Sequence, residues 1–329
     1  MARDRLPVAT MRTLPFIVAC ASFAIARPAA AQDLRIYLLG TGGPELTEGR
    51  QGASTLVVAN GQELLFDAGR GVMQRLYESH IKIPDVREVF LTHLHSDHIE
   101  GLPNLWMAGW FLLRRPGPMT FHGPAGTLAM AQGMEAFFAH DMVARVQGTD
   151  TPEGLRFAVQ EFSADGVVYQ REGVRVTAFA VDHKDGNPAY GYRIDYRGRS
   201  VVLSGDCTYT PNLVAHARGA DVIVHNVFAT SAGIMAHNPN ERMVALKLAS
   251  PEQVAAIFSE TKPRLAALSH IIRIGLHDDD VIRRIRAAGY AGPLTMGLDR
   301  LVIAVGDQIE VIPPPSLEGL PDAVKPGDS

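Results

Sequence analysis

Four things are scarce in this sequence, and each scarcity excludes something. There are two cysteines in 329 residues, Cys20 and Cys207. The first falls in a segment read below as removable, so the remaining chain can form no internal disulfide. Its stability must come from a core, which roughly 300 residues can build. There is no apolar run of the roughly 20 residues that a membrane-spanning helix requires. Basic residues do not outnumber acidic ones, at 31 against 35 with a formal charge of −4. That balance predicts no general attraction to a phosphate backbone, hence no nucleic acid among the partners. Repeats of solenoid length are absent. What remains, 47% hydrophobic and 20% charged, suits a soluble globular protein of one large or two small domains.

The first residues differ from the rest. Arg3, Arg5 and Arg12 precede the apolar stretch from Leu14 to Ala26, and Ala29-Ala30-Ala31-Gln32 follows. A basic start, a short apolar run and a small-residue cleavage site predict a secretory signal peptide over residues 1–31 and a periplasmic or secreted protein. No Arg-Arg pair is present, which favours general secretion over the twin-arginine route; Ile17–Cys20 leaves a lipoprotein box as the second reading. Removal of the segment takes away four arginines and one aspartate, moving the formal charge from −4 to −7. No stable membrane span would remain.

The densest chemistry lies in Phe90-Leu91-Thr92-His93-Leu94-His95-Ser96-Asp97-His98-Ile99-Glu100-Gly101. A short apolar strand runs into three histidines and a carboxylate within six residues. Imidazole and carboxylate are zinc ligands, and a tight loop leaving a buried strand can aim all four into one cleft. Two adjacent metals are possible at such a place.

Elsewhere, Asn60-Gly61 predicts a hairpin between Ser54–Ala59 and Glu63–Phe66. Asp67 ends that strand, where it can cap a helix over 71–80. The spacing of Trp106 and Trp110 puts both indoles on one face of a helix over 102–113. They are read as core or as walls for an apolar substrate. Residues 156–162 and 167–169 predict a hairpin. The segment 227–247, with His237, reads as a lid with helical pieces. Ser250-Pro251 predicts a helix start. The last residues, 313–329, read as a flexible tail, leaving 32–312 as the domain.

Several segments occur together in order: Gly40-Thr41-Gly42-Gly43-Pro44, Leu65–Gly69, the histidine run, Phe121–Pro124, Asp182-His183, Ser204-Gly205-Asp206 and Leu268-Ser269-His270. The set resembles the metallo-β-lactamase superfamily, in its ribonuclease Z-like and arylsulfatase-like branch. The resemblance implies an α/β (α+β) fold of the αββα sandwich kind. It implies that His93, His95 and His183 bind one zinc, and that Asp97, His98 and His270 bind a second. It also implies that Asp206 bridges the two, with Asp97 and Asp206 as the catalytic carboxylates and Asp67 as a supporting acid beneath the metals. Two zincs per chain would hold a hydroxide as nucleophile.

Two features depart from ribonuclease Z. Only twenty-two residues separate His183 from Asp206, leaving no room for a long arm that grips tRNA. Asn226 and Ala249 stand where a Glu–His relay is expected. These departures, with the negative charge, point to a small-molecule substrate: aryl sulfate or phosphate esters. The alternatives are a lactone, a phosphotriester or an aryl halide, or a non-catalytic zinc-binding role. Trp106, Trp110, His225, Asn226 and His237 are the candidate substrate contacts, and a homodimer is the open alternative to a monomer.

Overall fold

The computed structural model describes Met1, residues 34–146, residues 152–318 and Leu320. The chain divides into residues 1–31 and 32–329, and everything below concerns the second part. The expected signal segment lies outside the described residues, apart from Met1, as does the end of the expected tail.

Six strands open the first sheet: β1 (Leu34–Gly40), β2 (Ser54–Ala59), β3 (Gln62–Phe66), β4 (Glu88–Phe90), β5 (Met119–Pro124) and β6 (Phe157–Phe162). The second sheet follows with β7 (Gly166–Arg171), β8 (Val174–Val181), β9 (Ala189–Tyr196), β10 (Arg199–Leu203), β11 (Val222–Thr230), β12 (Leu265–Ile274) and β13 (Leu294–Met296). Then β14 (Leu301–Val305) and β15 (Ile309–Ile312) return to the first, giving the orders β15-β14-β1-β2-β3-β4-β5-β6 and β13-β12-β11-β10-β9-β8-β7.

The helices are α1 (Val72–Glu78), α2 (Ser96–Ile99), α3 (Leu102–Phe111), α4 (Thr127–Val146), α5 (Pro211–Ala217), α6 (Ala232–His237), α7 (Pro239–Val244), α8 (Pro251–Thr261) and α9 (Asp278–Ala287). Ser250 starts α8 as expected, accepting from Gln253 N while the Gln253 side chain reciprocates.

Three apolar clusters define the layers. Leu34, Ile36, Leu38, Val57, Tyr192, Val201 and Ile303 fill the space between the sheets. Val72, Leu76, Leu105 and Trp106 join α1 and α3 to the outer face of the first sheet. Leu213, Val254, Phe258 and Ile285 join α5, α8 and α9 to the second. The alternation of buried positions along each strand feeds two of these layers at once, which is why the fold is an αββα sandwich.

Two sequence-based expectations change. The predicted hairpin over 156–162 and 167–169 does not exist: β6 pairs in parallel with β5, whereas β7 pairs with β8 in the other sheet. The turn between β6 and β7 is where the chain leaves one sheet for the other. Trp106 and Trp110 are both core residues, 0% and 2% exposed. Helix α3 lies against the sheet, and the Trp106 indole donates to Leu155 O at 3.2 Å. Neither ring is free to wall a substrate site.

Candidate metal centre

The seam between the sheets collects its side chains from strand ends. β4 stops at Phe90, and the following loop carries His93 and His95 before Asp97 and His98 enter the single turn of α2. The loop after β8 supplies His183, and the turn after β10 supplies Asp206. β12 supplies His270 from within a bulge. The register between β11 and β12 shifts between His225 and Val227, so Ser269 and His270 face one residue of β11. His270 takes φ 44 there, and the bulge re-aims its ring out of the strand and into the seam.

All seven candidate ligands meet. Three groups have donor atoms within 4.8 Å of one another: His93 with His95 and His183, Asp97 with His98 and His270, and His93 with His98 and Asp206. Asp206 Oδ2 lies at the centre, 3.3 Å from His270 Nε2, 3.5 Å from His98 Nε2 and 3.7 Å from His183 Nε2. His95 Nδ1 approaches His183 Nε2 at 3.2 Å, and Asp97 Oδ2 is 3.2 Å from His270 Nε2.

Hydrogen bonds behind the cluster fix which nitrogen of His93, His98 and His183 faces inward. Asp67 accepts from His98 Nδ1 at 2.8 Å, from the Thr92 amide at 2.8 Å and from the Thr92 hydroxyl at 2.9 Å. Since that hydroxyl spends its proton on Asp67, its lone pair accepts from His93 Nδ1 at 3.0 Å. His183 Nδ1 donates to Lys247 O at 3.0 Å. Asp67 is thus a ligand support; the start of α1 has Gly71 at its cap and no capping side chain. Gly186 lets the chain pass the His183 ring, because a Cβ there would fall 2.0 Å from Cδ2.

These residues fit a cation. His93 Nε2, His98 Nε2 and Asp206 Oδ1 are buried without hydrogen-bond partners, a cost that natural cores rarely carry unless something else satisfies the atoms. Burial opposes ionisation of Asp206, yet His270 and His98 hold its carboxyl well below the usual carboxylate range. Burial pushes His93 well down, towards the neutral imidazole that binds metal, whereas Asp206 holds His98 and His270 up despite their burial, so a metal there must displace their protons.

Two cavities flank the cluster. An internal one of about 50 Å³ lies behind the ligands, touching Asp67, Thr92, His98, Asp206, His225 and Asn226. An open cleft of about 110 Å³ lies in front, lined by His95, Asp97, His183, Asp206 and His270 together with Glu45, Lys247 and apolar side chains. His225 and Asn226 therefore sit behind the ligands rather than in the cleft. β11 is buried along its whole length, and the His225 ring faces Phe258 and Cys207. Burial draws His225 down to about 4, so it stands neutral. His237 is exposed on α6, bonded to Gly233 O at 2.8 Å, and does not line either space. Ala249 is buried in the apolar layer over the second sheet, so no relay exists at that position. Glu45 and Lys247 escaped the sequence reading, since single charged residues in loops carry no periodicity.

A sandwich of two sheets holding a buried histidine–carboxylate cluster at its seam defines a metal-dependent hydrolase. The chain belongs to the beta-lactamase superfamily, whose domain profile matches residues 62–271. It is 32% identical over 272 residues to ribonuclease Z of Mycobacterium marinum, covering 81% of this chain and 96% of that one. In structure it is similar to the metallo-beta-lactamase fold protein YhfI of Bacillus subtilis, with a TM-score of 0.64 at 17% identity over 82% and 98% of the chains. It is equally similar to the short form of human tRNase Z, with a TM-score of 0.64 at 20% identity over 83% and 99%.

These relatives overturn two expectations. A hydrolase of aryl sulfate or phosphate esters with small-molecule substrates alone does not stand when relatives matching most of the chain are ribonucleases. The exclusion of nucleic acid falls with it. The physical error was to read a whole-chain charge as a local one. Binding depends on the field at a particular surface, and a cation at the seam changes that field where the chemistry occurs. Among the described residues, no helix is long and apolar enough to cross a membrane.

Proposed function

We propose that the protein is a zinc-dependent phosphodiesterase that cleaves RNA, with a pair of zinc ions held by His93, His95 and His183 and by Asp97, His98 and His270, and with Asp206 shared. The observation that carries this reading is the approach of His98, His183 and His270 to Asp206 Oδ2 in a chain that is 32% identical to a ribonuclease Z and covers 96% of its length. Bound zinc supplies Lewis acidity towards phosphoryl oxygens and a nucleophile at neutral pH. The chain's own residues hold the geometry. Asp67, Thr92 and the Lys247 carbonyl keep protons on the outer nitrogens of His98, His93 and His183. The cleft on the Glu45 and Lys247 side gives access to the ligands, while the cavity behind them is lined by buried residues of β11 and its neighbours.

The test is cleavage of a 3′-extended tRNA precursor by zinc-loaded protein, with mapping of the product ends and Asp206→Ala as control. Unstructured RNA and DNA of matched length show what the enzyme distinguishes. Intact RNA after incubation with a folded, zinc-replete sample would refute the reading. Residues 1–31 are further proposed to direct export, on the strength of their basic, apolar and small-residue order. Sequencing of protein recovered outside the cytoplasm should begin near Gln32; recovery of the intact Met1 form from the cytoplasm alone refutes this.

A further inference from the structure

The open cleft has an electrostatic problem. Besides its histidines it is lined by Glu45, Asp97 and Asp206, and Lys247 is the one other cation among its described lining residues. A phosphodiester carries its own negative charge into that space. Resting on the phosphodiesterase reading, we propose that Lys247 is an anion-binding residue that takes a non-bridging phosphoryl oxygen of the substrate, and that Asp185 holds its ammonium group in reserve.

The backbone of Lys247 is fixed while its head group is not. Its carbonyl accepts from His183 Nδ1 at 3.0 Å. Next to it, Leu248 packs with Phe228 and Ile272 in a small apolar cluster that also takes up Val244 and Met235. Phe228 N donates to Ala249 O at 2.9 Å, tying the end of the lid to β11. The ammonium, at the end of four methylenes, reaches Asp185 Oδ2 at 2.7 Å. Asp185 lies two residues after His183 in the short turn Lys184–Gly186. Both ends of Lys247 therefore engage the segment that presents one metal ligand.

The pair is built to exchange. Asp185 is 64% exposed and the lysine side chain 24%, and ion pairs open to solvent are weak. A phosphoryl oxygen entering the cleft meets a point-charge donor with three N–H groups, a strong partner for phosphate. The other cleft-lining residues from the end of α7 and the segment after it, Val244 and Leu248, are apolar. The lid thus brings one positive group to an acidic space, and its position is set by the same residue that orients His183.

Equilibrium binding separates this from a structural role. Zinc-loaded wild type, Lys247→Met and Asp185→Asn are titrated with AMP and with adenosine by calorimetry, with zinc content measured for each. Methionine keeps the backbone carbonyl and an apolar stem, so zinc should remain. Loss of a charge-assisted contact predicts AMP binding roughly ten- to a hundredfold weaker, with adenosine unchanged. Asp185→Asn releases the ammonium and should tighten AMP binding. On RNA, Lys247→Met should raise KM more than it lowers kcat. Wild-type AMP affinity in Lys247→Met overturns the proposal, as does parallel loss of zinc and AMP, or a wild type that does not prefer AMP to adenosine. Protein that prefers AMP yet leaves RNA intact would sink the ribonuclease reading and leave Lys247 in place.

Discussion

Replacing Asp67 by Asn should weaken zinc binding without breaking the fold. The residue sits at φ 58, a conformation that Asn tolerates nearly as well as Asp, so the backbone need not move. Its carboxylate accepts three bonds of 2.8, 2.8 and 2.9 Å, two from Thr92 and one from His98. An amide can reproduce the bond to the Thr92 amide through its one oxygen. Its NH₂ then faces the Thr92 hydroxyl and His98 Nδ1–H, donor against donor. His98 can relieve the conflict by moving its proton to Nε2, but that nitrogen is the one 3.5 Å from Asp206 and 3.6 Å from Asp97. A protonated Nε2 is no ligand. Loss of such supporting bonds weakens metal sites about 10- to 100-fold, equivalent to about 1.4–2.7 kcal/mol. Leaving buried donors unpaired costs about 1–3 kcal/mol of folding stability as well. A competition titration against a chromophoric chelator reads the first quantity, and urea unfolding in excess chelator reads the second. A folded Asp67→Asn protein with wild-type zinc affinity would show that the carboxylate does not govern His98, and the argument would fail.

Three further outcomes are expected. Asp206→Ala removes the oxygen on which His98, His183 and His270 converge, so metal analysis should show loss of zinc and assays loss of RNA cleavage, while retention of either contradicts the shared-ligand role. Trp106→Ala should lower stability by about 3–5 kcal/mol because the ring is fully buried, with kcat per folded molecule unchanged; a selective rise in KM would restore the indole to the substrate site. Glu63 on β3 has a buried oxygen without a partner, and burial, reinforced by Asp85, pushes its carboxyl up to about 7 from 4.5. Between those values the folded state keeps a proton that the unfolded chain has released, so this group costs stability as pH rises through the window. Glu63→Gln should therefore raise Tm at pH 8 and change it little at pH 4, as scanning calorimetry can show; an equal shift at both contradicts the raised carboxyl.

The sandwich and the cluster of candidate ligands at its seam were legible because their chemistry constrains sequence tightly. A run such as His93-x-His95-x-Asp97-His98 leaves few structural uses for its side chains, and Asp206 and His270 each end or interrupt an apolar strand. Trp106 and Trp110 show the opposite situation. Helical spacing places them on one face but cannot say what that face meets, and α3 is buried against sheet and helices alike. The misread hairpin has a related cause: β6 and β7 are neighbours in sequence, and adjacency predicts pairing unless the chain changes sheets. Lys247 and Glu45 gave no signal beyond their places in a lid and a glycine-rich loop. Substrate class was the hardest to read, since summed charge describes the whole surface and recognition happens at one seam.

The ligand positions have a mechanical consequence. Asp97 and His270 stand 173 residues apart in the chain, Asp97 on α2 after β4 of the first sheet and His270 in β12 of the second. An ion held between them is a reversible rivet through the sandwich, closing a loop far longer than any local contact closes. It can be set only after both sheets exist and have docked, so metal capture belongs to the last stage of folding. In reverse, the sheets cannot separate while the rivet holds. Bound zinc would then add to the apolar core in opposing separation of the sheets, and the loaded enzyme should unfold more slowly than the chelated one.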